Sequence, residues 1–562
     1  MSSPLFKFCT YRSLSEINLL MLKNSLFEVN WQPLYETKDV NNAFNQFLDT
    51  VLKLFNVYCP VLTKKVNLAK KITKNNNGWY DDSLRQKRDN LLLIKDLLLI
   101  PSYNKELVQK FFIRSKQDYR YSVRQAKIKY NDKKISQSQN KCSAAWKLIK
   151  SQTCGNKLKN NPPPISPNVF NDYYINIGKN VAEKVKTYSS TNNTTQFSYK
   201  TFLENIPAAN MDLKWEKVSS TDILKVVRSL KSSKSQDVYG LSNSTIKYII
   251  TSILEPLTYL VNLMFLESVF PQCLKYSKTV PIFKKGDKWD PASYRPISVI
   301  PTLSKVLELC IKNQLFIHLD KNVSISEHQY GFRPGYSTTL AVEKVVSNIL
   351  HTFELNSFLG ITLVDLSKAF DSISHQILLD KLERYGIKNR EFNLIKSYLC
   401  GRYQSVVVNN QFSTCLEVKA GVPQGSILGP ILFLLAINDL PNSLPFQSLL
   451  YADDTTFLMS GNSQIEIDSK SNLMYERAAE WFNANALTIN TAKTEKLCFT
   501  LRQVEINHSK SVKLLGVHLD SKLSWEVHTD YIRLITFLFV FVVQFIIITP
   551  GKTMKLMYLN VG

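Results

Sequence analysis

The sequence predicts an α+β fold, because two kinds of pattern alternate along most of the chain. From residue 219 onward, segments with apolar residues at helical spacing are interleaved with short runs rich in β-branched and aromatic residues. Two of these runs, 449–452 and 455–459, flank an Asp-Asp pair that suits a tight turn, so they predict an antiparallel hairpin. Helices mixed with hairpins are typical of the α+β class.

Composition and charge narrow the class of protein. The chain has 562 residues, and its apolar content of 44% is that of a globular protein. Residues 61–160 hold 24 Lys or Arg against 7 Asp or Glu, which is most of the net charge of +24. An excess this local predicts a polyanionic partner, most simply nucleic acid, although a solvated basic helix has the same composition.

Cysteine spacing and hydropathy predict that the protein has neither a zinc site nor a membrane span. The nine cysteines occur singly without CxxC spacing, so the sequence predicts no zinc site and reduced thiols in an intracellular protein. The most membrane-like run, 537–548, is shorter than the roughly 18 apolar residues that a span needs. We therefore expect no membrane partner.

Periodicity predicts the individual elements. Residues 40–57 have the spacing of an amphipathic helix, and 79–150 continue as basic helices whose interleaved aromatics favour helix packing over base stacking. Residues 187–200 are polar and pattern-free, as in a linker. The other predictions are helices at 221–230 (capped by Ser220), 242–270 and 374–385, and strands at 277–283, 360–365 and 404–408.

Three carboxylates are candidates for chemistry. Asp453 and Asp454 repel each other in one turn, and a hard divalent cation such as Mg²⁺ would relieve that repulsion. Asp365 ends an apolar strand, where a free carboxylate is costly unless it is paired. If the three converge, they could bind two Mg²⁺ ions and support in-line phosphoryl transfer. An ordinary surface turn and a helix-capping Asp365 remain open as alternatives.

A glycine-rich loop, AGVPQGSILGP at 420–430, precedes an apolar helix. Gly421, Gly425 and Gly429 permit a close backbone approach to a ligand. Ser426 could cap the helix, whose N-terminus would then face an anion. A loop of this composition before a core helix is common, so it is weak evidence alone.

Together these segments resemble the reverse transcriptase of non-LTR (LINE-type) retrotransposons, of the jockey-like group. The motifs that carry the resemblance occur in the order of that family over about residues 216–530. They are VPIFKKGD (280–287), SYRPIS (293–298), QYGFRPGYST (329–338), the Asp365 segment, the Gln424 loop, YADD (451–454), LTIN with Lys493-Thr494, and LLGV (514–517). One such motif is weak, whereas eight in order leave little room for coincidence.

The resemblance implies a right-hand polymerase of fingers, palm and partial thumb, with Asp365, Asp453 and Asp454 as catalytic ligands of two Mg²⁺ ions, or of Mn²⁺ in their place. It implies that Phe370 excludes a ribose 2′-hydroxyl, so that deoxynucleotides are selected. Lys284 or its neighbour Lys285 would bind nucleotide, with Lys493 near the leaving pyrophosphate. The remaining implied contacts are to nucleotide (Arg295, Gln424 and Gly425) and to primer or template (Gly421, Leu515 and Gly516).

The domain organisation expected from this resemblance has five parts. Residues 1–160 would be a basic, all-helical region that in the family joins an endonuclease to the polymerase, with that endonuclease absent here. The others are a linker (161–215), fingers and palm (216–500), a primer-side hairpin with the start of a thumb (501–535) and an atypical apolar tail (536–562). A truncated or frameshifted thumb would explain the tail.

The implied activity is an RNA-directed DNA polymerase. Its implied partners are an RNA template, a DNA primer, deoxynucleoside triphosphates and an element ribonucleoprotein, in the nucleus and cytoplasm. Two alternatives stay open at this point. One is a degenerate relic that binds nucleic acid without polymerising, and the other is a group II intron-type maturase, which shares the palm and the GFR motif at 331–333.

Overall fold

A computed structural model of the protein describes residues 6–67, 78–98, 105–138, 140–153, 163–181, 183, 198–206, 208–322, 325–502 and 511–534. The predicted apolar tail at 536–562 lies outside the described residues. The chain divides into two compact units. The larger unit comprises residues 8–65 and 162–528, and the smaller one comprises 1–7, 66–161 and 529–562.

The described helices and strands confirm the mixed fold class. The helices are α1 (Glu16–Phe27), α2 (Gln32–Glu36), α3 (Val40–Tyr58), α4 (Asp82–Leu97), α5 (Lys105–Ser136), α6 (Lys141–Thr153), α7 (Pro167–Ile175), α8 (Ser220–Ser229), α9 (Asn243–Glu267), α10 (Thr302–Asn322), α11 (Thr338–Glu354), α12 (Ala369–Ser372), α13 (His375–Arg384), α14 (Asn389–Leu399), α15 (Gly429–Ile437), α16 (Leu440–Ser443) and α17 (Gln464–Ala484). The strands are β1 (Phe6–Arg12), β2 (Val61–Asn67), β3 (Tyr276–Phe283), β4 (Tyr294–Val299), β5 (Phe358–Val364), β6 (Arg402–Val408), β7 (Gln411–Phe412), β8 (Leu416–Val418), β9 (Gln447–Tyr451), β10 (Asp454–Gly461), β11 (Glu495–Phe499), β12 (Ser511–Leu514) and β13 (Val517–Asp520). The predicted elements at 40–57, 221–230, 242–270 and 374–385 are helices as expected, except that Ser219, not Ser220, caps α8.

A four-stranded antiparallel sheet in the order β11-β5-β10-β9 forms the centre of the larger unit. Alternate residues of β5 face opposite sides, so that Leu359 and Ile361 join one apolar cluster with α11, whereas Val364 joins the main core. Because both faces are covered, β5 is apolar except for the buried Thr362. This explains why its sequence is a mostly apolar run that ends at Asp365.

A second sheet, in the order β4-β3-β6-β7 with β8 also paired to β6, is covered by α7. Phe170 and Tyr174 of α7 pack on Tyr294 and Val406 of this sheet. The buried Asn171 of α7 also donates a hydrogen bond to the Thr414 carbonyl at 2.8 Å. The prediction of a linker over residues 161–215 is therefore wrong at α7. The apolar face of this helix is too short for the sequence pattern to reveal it among polar residues.

The first helices belong to the same core as the central sheet, which differs from the single connecting region predicted for 1–160. Leu22 of α1, with Phe44 and Phe55 of α3, has no exposed surface in that core. The segment is also not all-helical, because β1 and β2 pair with each other. Sequence periodicity revealed the apolar face of α3, but periodicity alone does not reveal which partner covers it.

Among the described residues, α9 is the helix long and apolar enough to cross a membrane. In this protein 67% of its most apolar window is buried. That burial is what a core helix shows, and Pro256 within it is itself buried.

The smaller unit contains the basic helices α4, α5 and α6. The described side chains of α5 include no buried residue, and Phe111 and Tyr121 are more than 60% exposed. Other aromatic rings contact cations: the Lys127 Nζ lies 4.7 Å from the centroid of the Trp79 ring. Packing of the helices by these aromatics, which the sequence favoured for most of them, is therefore not seen at Phe111 and Tyr121.

Candidate active site

The Asp-Asp pair lies at the hairpin of β9 and β10. Asp454 pairs with Tyr451, so Ala452 and Asp453 form the two-residue loop. Ala452 has a φ of 57°, in the left-handed region that two-residue hairpins require. The predicted hairpin is confirmed, with the correction that Asp454 begins β10 and is not part of the turn.

Asp365 follows the last residue of β5, which is paired with β10. Val364 lies opposite Thr455, so one further step along both strands places Asp365 opposite Asp454. The Asp365 Oδ2 accepts a hydrogen bond from Asn490 Nδ2 at 3.3 Å and forms an ion pair with Lys493 Nζ at 2.5 Å. The alternative in which Asp365 caps the next helix is excluded, because Lys368 holds the cap position of α12.

The three carboxylates influence one another electrostatically. Enclosure by the protein, together with the nearby charges of Asp453 and Asp365, raises the pKa of Asp454 to about 6. The pKa of Asp453 is also raised, first by burial and then by the charge of Asp365. The side chain of Asp454 still reaches solvent, so the cleft is open to a cation. Negative charge is thus concentrated beyond what the surrounding cations cancel.

The donor set suits a hard divalent cation, because it consists of carboxylate oxygens. In this structure Asp365 faces Lys493, and no group of three or more His, Cys, Asp or Glu is close enough to hold a metal ion within the described part of the chain. The three carboxylates therefore have the right chemistry for a divalent cation and lie near one another. They do not form a complete set of metal ligands in this structure.

Cations of the β3–β4 hairpin adjoin the carboxylates. Ile282 pairs with Arg295, and the N–H of Lys284 donates to the Ser293 carbonyl at 2.9 Å. Burial lowers the pKa of Lys284, as do the charges of Arg295 and Lys493, while that of Asp365 opposes the shift. Lys284 and Arg295 thus lie near enough to act electrostatically on the acidic group, and Lys493 forms an ion pair with one of its members.

Phe370 lies six residues after the end of β5, at the edge of the cleft. Its ring stacks on Phe433 of α15 with centroids 4.4 Å apart, and it remains only partly buried. The next residue, Asp371, accepts a hydrogen bond from Gln424 Nε2 at 2.7 Å. Burial raises the pKa of Asp371 to about 6, against that hydrogen bond and the charge of Lys368. Gln424 is thereby fixed beside Phe370.

The glycines of the 420–430 loop lie against the protein's own atoms. A Cβ at Gly421 would collide with the Asp371 backbone, and one at Gly425 with the Ser298 carbonyl. Gly429 is likewise close to Ser426 Oγ. The predicted close approach is confirmed. These glycines approach other segments of the same protein, whereas the sequence predicted that they approach a ligand.

The N-terminus of α15 does face an anion, and that anion is internal. The fully buried Glu308 of α10 accepts hydrogen bonds from the N–H groups of Ile427 at 2.7 Å and Leu428 at 3.2 Å. Ser426 does not occupy the cap position, although its Oγ accepts from the Gly429 N–H at 3.0 Å. The predicted capping by Ser426 and the predicted external anion at this helix are therefore wrong.

The predicted hairpin at Leu515-Gly516 is present. Strands β12 and β13 pair through Leu514 and Val517, and both turn residues have positive φ, at 47° and 95°. In the described part of the chain, nothing lies within 4 Å of a Cβ placed at Gly516, so its glycine is explained by the turn backbone. The hairpin packs through Val512 and Leu519 on the cluster that covers β5.

Several residues around the site were quoted in motifs without a predicted role. Gln329 and Gly331 contact the turn at Ala452, and Asn490 contacts Asp365. Glu308 and Asp371 were not singled out at all. A glutamate between apolar residues, as in Leu307-Glu308-Leu309, is the sequence signal that could have revealed Glu308.

The family comparison agrees with this geometry. Residues 282–519 match the family model described as reverse transcriptase (RNA-dependent DNA polymerase). The matched region includes the strands that bring Asp365 to Asp453 and Asp454, so this part of the chain is similar to reverse transcriptase domains, as the sequence predicts.

Curated relatives of this region come from mobile elements. The chain is 30% identical over 339 residues to the probable RNA-directed DNA polymerase from transposon BS of Drosophila melanogaster, over 57% of this chain and 37% of that protein. It is 31% identical over 344 residues to the corresponding protein from transposon X-element of the same fly, over 58% and 38%. It is 30% identical over 337 residues to the RNA-directed DNA polymerase from mobile element jockey of Drosophila funebris, over 57% and 37%.

The predicted likeness to the polymerases of non-LTR retrotransposons, including the jockey-like group, is confirmed by these relatives. The chain spans a little over a third of the length of each.

Proposed function

We propose that this chain is the RNA-directed DNA polymerase of a LINE-type retrotransposon, and that it adds deoxynucleotides to a primer 3′-hydroxyl. The observation that carries the proposal is the pairing of β5 with β10, which sets Asp365 beside Asp453 and Asp454. The cations of the β3–β4 hairpin adjoin this acidic group. A group of carboxylates that can bind metal ions, next to cations that can bind phosphate oxygens, suits the transfer of a phosphoryl group.

Asp365 and Asp453 would be the main ligands of two Mg²⁺ ions, with Asp454 beside them and Mn²⁺ as a substitute. When bound, the ions supply a lowered pKa for the attacking hydroxyl and a counter-charge for the phosphate oxygens. The pKa of Asp454, at about 6, keeps this carboxylate mostly ionised at neutral pH and so able to bind a cation.

The neighbouring side chains would orient the nucleotide. Lys284 and Arg295 would bind its triphosphate, since a guanidinium donates to two phosphate oxygens at once. Lys493, paired with Asp365 in this structure, would turn to the leaving pyrophosphate and protonate it. Phe370 would occupy the space of a ribose 2′-hydroxyl, supported from behind by Phe433.

Template and primer would lie across the same cleft. Gln424 and Gly425 would lie against the new base pair, while Gly421, Leu515 and Gly516 would contact the primer–template. The basic helices of the smaller unit would hold RNA through phosphate contacts. An element ribonucleoprotein and a nuclear and cytoplasmic location follow from this assignment and stay predictions.

The decisive experiment is primer extension on an RNA template with Mg²⁺ and deoxynucleotides. We expect extension by the full chain and its loss in Asp453→Asn, with Asp320→Asn, an exposed carboxylate of α10, as matched control. RNA binding without extension by well-folded wild-type protein would contradict the proposal and identify a non-catalytic relic. The retrotransposon relatives favour the polymerase over a maturase.

A further inference from the structure

A short segment beyond the four-stranded sheet is hydrogen-bonded to the strand that carries the catalytic turn. Gln329 forms a parallel bridge with Leu450 of β9. The Tyr330 N–H donates to the Leu450 carbonyl, and the Leu450 N–H donates to the His328 carbonyl, each at 2.8 Å. This segment, residues 328–332, thus extends the sheet next to the turn at Ala452 and Asp453.

The side chain of Gln329 is directed at that turn. Its Oε1 accepts hydrogen bonds from the N–H groups of Gly331 at 2.8 Å and Ala452 at 3.2 Å. Two donors on one atom fix the orientation of the amide, because its NH₂ end could not accept either bond. The residue is 1% exposed, and its Nε2 has no hydrogen-bond partner among the described residues. A buried orphan donor indicates that the opposite end of the side chain is needed where it is.

The residue that Gln329 holds determines where Asp453 points. Ala452 directly precedes Asp453 and has a φ of 57°, which a residue with a side chain seldom adopts. A hydrogen bond to its N–H therefore stabilises an uncommon backbone state. Without that bond, the turn could relax and carry the Asp453 carboxylate with it.

Gly331 and Phe332 complete the contact. A Cβ at Gly331 would lie under 3.0 Å from the Ala452 nitrogen, so the segment reaches the turn only with glycine there. Phe332 has a φ of 56°, a strained value for an aromatic residue. Its ring meets that of Phe370 edge-on, at an interplanar angle of 89° and a centroid distance of 6.3 Å.

We propose that Gln329, Gly331 and Phe332 form a positioning element, which fixes the turn of Asp453 relative to Phe370. This inference rests on the proposed function, because Phe370 and Asp453 are the nucleotide-selecting and metal-binding residues of that proposal. The element touches neither the reacting atoms nor, through Gln329, the solvent. It acts by holding two parts of the cleft at a constant separation.

The first test is Gln329→Met, which keeps the volume and removes the acceptor. We expect hydrogen exchange of the 449–457 segment to accelerate at least about tenfold, because the Ala452 N–H loses its partner. We expect kcat for nucleotide incorporation to fall about 10- to 100-fold, with the nucleotide KM and RNA affinity within about twofold, as for a displaced catalytic group. The control is Gln314→Met, which removes the two hydrogen bonds of Gln314 to the Glu216 backbone.

A second variant covers the case in which Gln329→Met fails to fold. Gly331→Ala should lower kcat to a similar extent by pushing on the Ala452 backbone. Gly461→Ala is its control, because the added methyl there meets only the movable side chains of Glu466 and Ile467. The proposal is overturned if exchange at 449–457 is unchanged in Gln329→Met, or if each variant matches its control in kcat. If wild-type protein does not polymerise, the proposed function fails while the exchange comparison still decides the positioning role.

Discussion

Asp454 shows how the surroundings of a single residue can lower stability. Enclosure and two neighbouring carboxylates raise its pKa from 3.8 to about 6. A raised carboxyl pKa means that the folded protein binds this proton more tightly than the unfolded chain does. Stability is therefore lost as the pH rises from about 4 to about 6, and the loss is complete above that range.

Replacing this carboxylate should stabilise the metal-free protein. We expect Asp454→Asn to raise the free energy of unfolding by about 1 kcal/mol at pH 7.5, a value kept small because solvent at this exposed side chain screens the repulsion. The gain should shrink as the pH falls below 6 and vanish near pH 4. Denaturant titration with a chelator present measures it at each pH.

The same substitution should reduce primer extension, since the proposed function makes Asp454 a ligand of the cation. Asp320→Asn should change neither stability by more than about 0.5 kcal/mol nor extension, because that carboxylate is exposed on α10. A destabilised Asp454→Asn at pH 7.5 would show that the carboxylate cluster carries no net repulsion. Our account of the electrostatics would then be wrong.

The sequence predicted these residues better than it predicted their partners. Asp365, Asp453 and Asp454 were identifiable because ionised groups beside apolar strands are unusual. Asn490 and Lys493, which contact Asp365, lie more than 120 positions away from it along the chain. No local sequence pattern predicts a contact between such distant residues, and the same is true of the hydrogen bond from Gln424 to Asp371.

At the scale of elements, α10 secures the loop that carries Gln424. Glu308 is fully buried and accepts two N–H groups of the loop end together with the Ser304 hydroxyl at 2.9 Å. Burial raises the pKa of Glu308, although the charge of Arg402 and these hydrogen bonds oppose the shift. The end of the loop thus depends on one side chain for two of its backbone hydrogen bonds.

Removing that side chain should loosen the loop as a unit. We expect Glu308→Leu to destabilise the protein by about 3–5 kcal/mol, because it leaves two buried N–H groups without an acceptor and removes a negative charge that attracts Arg402. Glu308→Gln, which keeps an acceptor oxygen, should cost clearly less. Thermal and denaturant unfolding measure the difference, and Glu343→Leu on the exposed side of α11 is the control. Equal losses for Leu and Gln at 308 would mean that packing, not the hydrogen bonds, matters.

Elements with a strong period were predictable, and elements that depend on their surroundings were not. The face of α3 and the apolar run of β5 follow from their own sequences. Helix α7 lies in a polar stretch, and only the partners Tyr294 and Val406 show that its aromatic residues are buried. The capping of α15 was mistaken because its anion comes from Glu308, 119 residues away from Ile427.

At the scale of the whole molecule, the chain is divided by contacts and not by sequence order. Residues 8–65 and 162–528 share one unit, so the basic stretch 66–161 is an insertion between two parts of that unit. Charge composition located the basic stretch correctly. It could not show that the preceding helices belong to the other unit, because apolar faces are complementary to many partners.

The basic stretch allows a last prediction about nucleic-acid binding. On α5, Lys116, Arg120, Arg124 and Lys127 follow one another at intervals of three or four residues and so share a face. Phe112 and Trp79 lie beneath the first and last of these cations, at 5.5 Å and 4.7 Å. Cations held along one face suit contact with successive phosphates of an RNA strand.

Replacing these four cations with Gln should weaken RNA binding in a salt-dependent manner. Each lost phosphate contact lowers the slope of log affinity against log salt by about 0.7–0.9, so the slope should fall by about 3. Filter binding of one RNA across a salt series measures it. The matched control replaces four exposed lysines of the larger unit, Lys214, Lys225, Lys344 and Lys396. An unchanged slope, or an equal fall in the control, would show that this face does not bind RNA. That result would not affect the match of residues 282–519 to the reverse transcriptase family model.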